Sequence, residues 1–328
     1  MEYRQLGRTG REVSVLGFGC GAVGGLLIKG DRNEMVRVVA RAIEAGINYF
    51  DTARSYGDGV SEANLGLVLE ELKPAVLVGT KVQLTAEDME NIEQAVIESV
   101  EGSLKRLRRD WVDLIQLHNP VALQRRPARE WVALDDLEPV MRAFQKLQQQ
   151  GKARFYGING LGDTAALHQA ITVDNIATIQ CCFNLINPTA GVPAPAEFPF
   201  QNYGQLIDQA AGKQIGVIAI RVLAGGALSG SSMRNANAAQ TVDPIGTGQD
   251  FAEDVGRSRA FQFLVEAGYT DSLVEAALRF VISKAAVSTA LVGISSMEQL
   301  EQAIAAASKG PLPAEALDRI GKVNATGG

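Results

Sequence analysis

Cysteine and histidine are scarce in this chain: three cysteines and two histidines in 328 residues. Cys181 and Cys182 are adjacent and Cys20 lies far off in sequence, so no disulfide framework staples the fold, and a reducing, cytoplasmic compartment is expected. With only His118 and His168 available, a histidine-rich metal centre is excluded and no metal is expected. A surplus of positive charge is also missing. Thirty-one Lys and Arg against thirty-seven Asp and Glu give a net charge of −6, which offers no basic field to nucleic acid or to an anionic membrane surface. No run reaches the roughly 18 apolar residues of a membrane span. The first residues, MEYRQLGRTGREVS, are charged where a secretory leader needs an apolar stretch, and the expectation is a soluble intracellular protein. No Gly-x-Gly-x-x-Gly follows the first apolar run either. Gly17, Gly19, Gly21, Gly24 and Gly25 are spaced differently and no acidic residue stands at the ribose distance, which counts against a doubly wound open sheet.

What is abundant is alternation. Eight short runs rich in Val, Ile and Leu recur, at 13–19, 47–53, 75–81, 112–118, 153–159, 177–184, 216–223 and 289–295. Few of them alternate apolar with polar residues, which is the pattern of strands covered on both faces. Amphipathic stretches of helical period lie between them, among them 33–46, 91–108, 140–152 and 271–285, and several end in Gly. With 46% hydrophobic residues the chain can bury a large core. Eight strands interleaved with helices predict a single (β/α)₈ TIM barrel over 1–328, a fold whose usual size is roughly 250 residues plus insertions. The opening YRQLGRTGREVSV predicts a β-hairpin that caps the bottom of the barrel. Three long irregular segments, 119–133, 187–202 and 229–256, all follow strands and therefore share the carboxyl-terminal face, where they wall a pocket. For 229–256, rich in Ser, Asn, Ala and Gly, a disordered insertion is the alternative.

Four reactive side chains stand at or just past the ends of three consecutive strands: Asp51, Tyr56, Lys81 and His118. Taken singly, each has a structural explanation, as a helix cap, a pocket wall, a solvated strand end or a satisfied core histidine. Together they converge at one barrel mouth. A cation beside a phenol favours the phenolate, so Lys81 is expected to lower the pKa of Tyr56, and Asp51 to keep Lys81 charged. His168, in a surface-helix pattern, is expected to be solvated. Further on, LAGGALSG (223–230) permits close backbone approach, and Ser295 or Ser296 in VGISSMEQL is placed to cap a helix, so these two loops predict an anion site.

The order DTARSYG, then GTK, then LH after a fourth strand resembles the aldo-keto reductase superfamily over nearly the whole chain. The resemblance implies a nicotinamide-dependent oxidoreductase acting on aldehyde, ketone or sugar carbonyls, or on the corresponding polyols. In that scheme Tyr56 is the general acid, Lys81 and Asp51 tune it, and His118 orients the carbonyl. Asn159 and Gln180 hold the carboxamide of the cofactor, which extends past Arg221, Leu223, Gly225, Gly293, Ser295, Ser296 and Gln299. Three departures bear on the cofactor. Ile220 or Arg221 falls where the family often stacks an aromatic; Ile294, Ser295 and Ser296 replace the basic residues that grip a 2′-phosphate; and Ala303 replaces an adenine-side Asn. NADP(H) is implied by the family's habit, with NAD(H) as the alternative. Two other functions stay open: a Schiff-base lyase or aldolase using Lys81, and a catalytically weak NADP(H)-binding regulatory protein. Substrate choice is expected to reside in Trp131, Arg125, Arg126, Phe198 and Phe200, although Trp131 equally well pins its own loop.

Overall fold

The computed structural model describes residues 1–325; the last three residues of the domain expected over 1–328 lie outside them. Eight parallel strands close into a barrel: β1 (Leu16–Gly19), β2 (Tyr49–Asp51), β3 (Leu77–Val82), β4 (Val112–Leu117), β5 (Ala153–Asn159), β6 (Thr178–Cys182), β7 (Gly216–Ile220) and β8 (Thr289–Gly293). Each is followed by a helix of the outer ring: α1 (Arg32–Glu44), α2 (Val60–Leu72), α3 (Ile92–Leu107), α4 (Leu137–Gln149), α5 (Thr164–Ala170), α6 (Leu206–Gly212), α7 (Leu273–Ser283) and α8 (Met297–Ser308). The helices form where the 3.6-residue pattern predicts. α1, for example, starts at Asp31, which accepts from the backbone of Asn33 and Glu34 at 2.9 and 3.3 Å, buries Met35, Val38, Val39 and Ala42, and ends just before Gly46. Among the described residues no helix is long and apolar enough to cross a membrane.

Most strands are shorter than the apolar runs, chiefly at their carboxyl ends; β5 coincides with its run, and β3 starts two residues late and ends one residue beyond. The first run divides instead: Glu12–Ser14 belongs to the hairpin and only Leu16–Gly19 to the barrel. At the seventh run, Arg221 takes a left-handed backbone (φ 56°) and ends β7 at Ile220. Parallel pairing keeps the chemistry at one level. Gly19 pairs with Asp51, Lys81 with Gln116, and Asn159 with Gln180.

The hairpin forms as predicted. Tyr3–Gln5 pairs antiparallel with Glu12–Ser14, and Leu6 and Val13 pack with Tyr49, Leu114 and Ile218 in a cluster of their own. Burying two such aliphatic side chains stabilises by about 1.5–3 kcal/mol each. Of the long loops, 119–133 contains a two-residue parallel pair, Val121–Ala122 with Val132–Ala133. The irregular stretch expected over 229–256 is shorter, because Phe251–Ser258 is helical. Its signal was a capping pair, Asp250 accepting from Glu253 N at 2.8 Å and Glu253 Oε2 accepting from Gln249 N at 2.7 Å.

Arg4 latches the hairpin to the end of α7 and the approach to β8. Its guanidinium donates to Ile282 O at 2.8 Å and Val287 O at 2.9 Å, with Lys284 O at 3.3 Å. Replacing it by Ala leaves carbonyls at a helix end without a cationic donor, so Arg4→Ala is expected to lower stability by about 1–3 kcal/mol, read as a shift in the urea midpoint at unchanged slope.

Candidate active site

Tyr56 sits in the tight loop between β2 and α2, where Gly57, Asp58 and Gly59 all have positive φ (62°, 51° and 87°). Two glycines and an aspartate are the residues that tolerate such a run, and the turn holds the phenol against the barrel mouth. A second tether follows: the Ser61 hydroxyl donates to Cys20 O at 2.8 Å and meets Thr52 Oγ1 at 2.9 Å.

Below the phenol lies a buried ion pair. Lys81 and Asp51 side chains are each 1% exposed and in direct contact, and Lys81 Nζ also donates to Thr52 O at 2.8 Å and to Tyr56 Oη at 3.2 Å. Asp51 accepts from Tyr49 Oη at 2.7 Å, from Gln180 Nε2 at 2.8 Å and from Gln116 Nε2 at 3.4 Å. Burial pulls the Lys81 ammonium down, but the Asp51 charge and the bonds to Asp51 and Tyr56 outweigh it and carry the group up to about 12. The lysine is therefore charged. For Tyr56 the net direction is opposite to the expectation: burial raises it, and the Lys81 charge, which acts downward, offsets only part of that rise. The phenol is a held proton donor whose anion the ammonium is placed to stabilise.

His118, just beyond β4, packs edge-on to Tyr56 with ring centroids 5.5 Å apart. Its Nδ1 meets Ser55 Oγ at 3.2 Å and its carbonyl accepts from Asn159 Nδ2 at 2.8 Å. Burial, reinforced by the Lys81 charge, pulls the imidazole from its ordinary 6.5 down to about 3, so the ring is neutral.

These groups open onto a cleft of about 430 Å³ that runs from Tyr56 and His118, past the loop after β7, to α8. Asn159, Gln180, Arg221, Leu223, Gly225, Gly293, Ser295 and Gln299 line it, and Ile220 does too. Lys81 does not. Ser296 does not line it either, because its hydroxyl is spent capping α8, accepting from Gln299 N at 3.3 Å. Ser295 N donates to Gln299 Oε1 at 3.0 Å, so two of the backbone donors of the anticipated anion site at this helix start, Ser295 N and Gln299 N, are engaged within the chain. Sequence reasoning missed Arg234, which lines the cleft and whose guanidinium binds Gly225 O at 2.8 Å, Val23 O at 3.4 Å and Ala239 O. Arg221 Nη1 donates to Asp243 O at 3.1 Å. Burial lowers both arginines, with the Arg221 charge a further cause at Arg234, and among the described residues neither has a carboxylate in ion-pair contact. No sequence motif marked Arg234, because its partners are backbone carbonyls, which any residue type can supply.

The remaining expectations fare differently. Arg125 is paired with Asp136 (2.8 and 2.9 Å), Arg126 with Asp163 (2.8 and 2.9 Å), and Arg126 covers the Trp131 ring at 4.6 Å. Trp131 thus pins its own loop, while Phe198 and Phe200 line a separate small cavity, so none of the five lines the cleft. His168 is not simply solvated: it bridges Gln209 Oε1 at 2.7 Å and Tyr203 O at 3.0 Å. All three cysteines are free and buried. Among the described residues no group of His, Cys, Asp or Glu is arranged to hold a metal. The residues do fit a nicotinamide dinucleotide. Asn159 Oδ1 is buried without a partner, as an acceptor for a carboxamide N–H would be, and two arginines without counter-ions face the middle of the cleft.

A closed (β/α)₈ barrel with its reactive groups gathered at the carboxyl ends of the strands defines a barrel enzyme. The model of the aldo/keto reductase family matches residues 15–325, and the chain belongs to that family, as an oxidoreductase. It is 26% identical over 328 residues to an uncharacterized oxidoreductase, YqkF, of Bacillus subtilis (strain 168), covering 98% of this chain and 95% of that one. The L-galactose dehydrogenase of Arabidopsis thaliana is 36% identical over 165 residues, 49% of each chain. Among solved structures, the holo form of aldo-keto reductase AKR11C1 from Bacillus halodurans superposes with a TM-score of 0.73 at 26% identity, covering 98% of this chain and 96% of that one.

Two outcomes test the electrostatics. Lys81→Met removes the charge that acts downward on Tyr56, so the phenol is expected to ionise at still higher pH; ultraviolet difference titration against Tyr56→Phe in the same background reads this directly. The unfolded chain protonates His118 below pH 6.5 and the folded one resists until about 3, so the stability that the neutral ring contributes is complete above 6.5 and lost as pH falls towards 3. His118→Gln is expected to flatten the slope of stability against pH in that window by up to about 1.4 kcal/mol per pH unit, measured by urea unfolding at successive pH values.

Proposed function

We propose that the protein interconverts a carbonyl and an alcohol, taking aldehydes, ketones or aldoses, with Tyr56 as the general acid or base. The observation that carries this reading is the contact of one buried ammonium with both Asp51 and the Tyr56 hydroxyl, at the edge of a cleft fitted to a dinucleotide. When bound, the nicotinamide cofactor supplies a hydride to the carbonyl carbon or accepts one in reverse. Tyr56, kept protonated by burial, donates its proton to the carbonyl oxygen, and the phenolate that remains is stabilised by Lys81. Neutral His118 is a hydrogen-bond donor for the same oxygen in the tautomer that carries its proton on Nε2, in which Nδ1 accepts from Ser55 Oγ. Arg221 and Arg234 offer their charge to the pyrophosphate, and Asn159 Oδ1 to the carboxamide.

A Schiff base at Lys81 is disfavoured by the same geometry. The amine is charged, buried behind Tyr56 and absent from the cleft wall. The partial match to an L-galactose dehydrogenase supports including aldoses among the substrates.

The reading is tested with a panel of aldehydes, ketones and aldoses, following reduced cofactor by absorbance in both directions. Tyr56→Phe is expected to lower turnover by about 10²-fold or more while dinucleotide affinity stays unchanged. Retained turnover in that variant removes Tyr56 from the acid role.

A further inference from the structure

Charge is unevenly distributed along the cleft. Its arginines, Arg221 and Arg234, both flank the Gly225–Gly226 turn. Beyond that turn, the edge formed by Gly293, Ser295, Gln299, Gln302 and Ala303 carries no charged side chain. The charge standing behind this edge is negative. Asn237, on the segment that crosses over from β7, donates through Nδ2 to Ser295 O at 3.0 Å and reaches Glu34 Oε2 at 3.5 Å, so the Glu34 carboxylate lies one amide group away from the cleft wall. Arg41, which reaches α8 from α1, is occupied by Glu301 through two contacts of 2.6 and 3.2 Å.

We propose that this cleft selects the dinucleotide with a free 2′-hydroxyl on its adenosine ribose, NAD(H), over the 2′-phosphorylated NADP(H), and that Glu34 enforces the choice. The inference rests on the dinucleotide reading above and on the order of the groups. Asn159 lies at one end of the cleft, the arginines in the middle and the uncharged α8 edge at the other end, which leaves the adenosine to that edge. A 2′-phosphate brings close to two negative charges there, with no cation to offset its lost hydration and the Glu34 carboxylate nearby. A hydroxyl carries no such penalty and can donate to a carbonyl, amide or carboxylate oxygen. Selection works here by exclusion of the phosphorylated form.

The test is equilibrium titration of the cofactor-free protein with NAD⁺ and with NADP⁺, by calorimetry or by quenching of intrinsic fluorescence. NAD⁺ is expected to bind at least about tenfold more tightly, with the gap narrowing at high salt as screening weakens the repulsion. Glu34→Gln should narrow the gap mainly by strengthening NADP⁺ binding. Gln302→Arg, at an exposed position that lines the cleft, should do so by supplying the missing cation. NADP⁺ binding as tightly as NAD⁺ in the unaltered protein overturns the selectivity alone, and a ratio indifferent to Glu34→Gln overturns the part given to Glu34. Failure of both dinucleotides to bind overturns the reading of the cleft itself, and the selectivity with it.

Discussion

The contact between Lys81 and Asp51 organises the barrel mouth. Two charges that are each 1% exposed have lost most of their hydration, a penalty of several kcal/mol per ion, so the pair persists only because its remaining valences are filled. Asp51 takes hydrogen bonds from Tyr49, Gln180 and Gln116 besides the ammonium, and Lys81 gives its other protons to Thr52 O and Tyr56. One carboxylate thereby ties together β2, β3, β4 and β6. Even the strand backbone accommodates it: a Cβ on Gly79 would stand 2.6 Å from the Tyr49 hydroxyl, so only glycine there lets Tyr49 rise to Asp51. Removing either charge strands the other in the interior, at a cost of about 3–5 kcal/mol. The pair is better understood as a device for positioning than as a source of stability.

That constraint also explains the character of the phenol. An ammonium pinned by a carboxylate cannot move away from Tyr56, so it is placed as a fixed stabiliser of a phenolate that would need little reorganisation in the proposed proton transfer. Burial acts on the phenol in the other direction and holds its proton in place. The neighbouring imidazole is kept neutral by the same burial and the same ammonium. A protonated phenol, a fixed cation and a neutral imidazole thus follow from one desolvated corner of the barrel.

Away from this corner the cleft is shaped by backbone contacts more than by side-chain charge pairs. Arg234 is held by three carbonyls from different segments, and the crossing segment is stitched to the loop after β1 by Ala239 N donating to Ala22 O at 2.9 Å. Asp254, 1% exposed, accepts from Thr247 Oγ1 at 2.6 Å and Gly248 N at 3.1 Å and anchors the end of that segment. Both arginines keep their charge facing the cleft because no carboxylate among the described residues neutralises them. The middle of the cleft consequently carries positive charge, while the side chains of its α8 edge are uncharged.

The barrel was legible because two-sided burial leaves a local trace: runs of Val, Ile and Leu set at regular intervals between amphipathic stretches declare strands covered on both faces, whatever their partners. Asp51, Tyr56, Lys81 and His118 were legible for a related reason, since strand ends in a parallel barrel share one face and residues at those ends must meet. Three things only the tertiary structure decided. Whether Gln180 reaches Asp51 and whether Arg234 reaches Val23 O depend on distances between segments far apart in sequence, to which local periodicity is blind, and which of two adjacent serines caps α8 depends on the backbone turn between β8 and α8. The acidity of Tyr56 shows the limit most directly. The sequence named the cation that raises it, but burial opposes that cation and prevails, and burial belongs to the folded molecule as a whole.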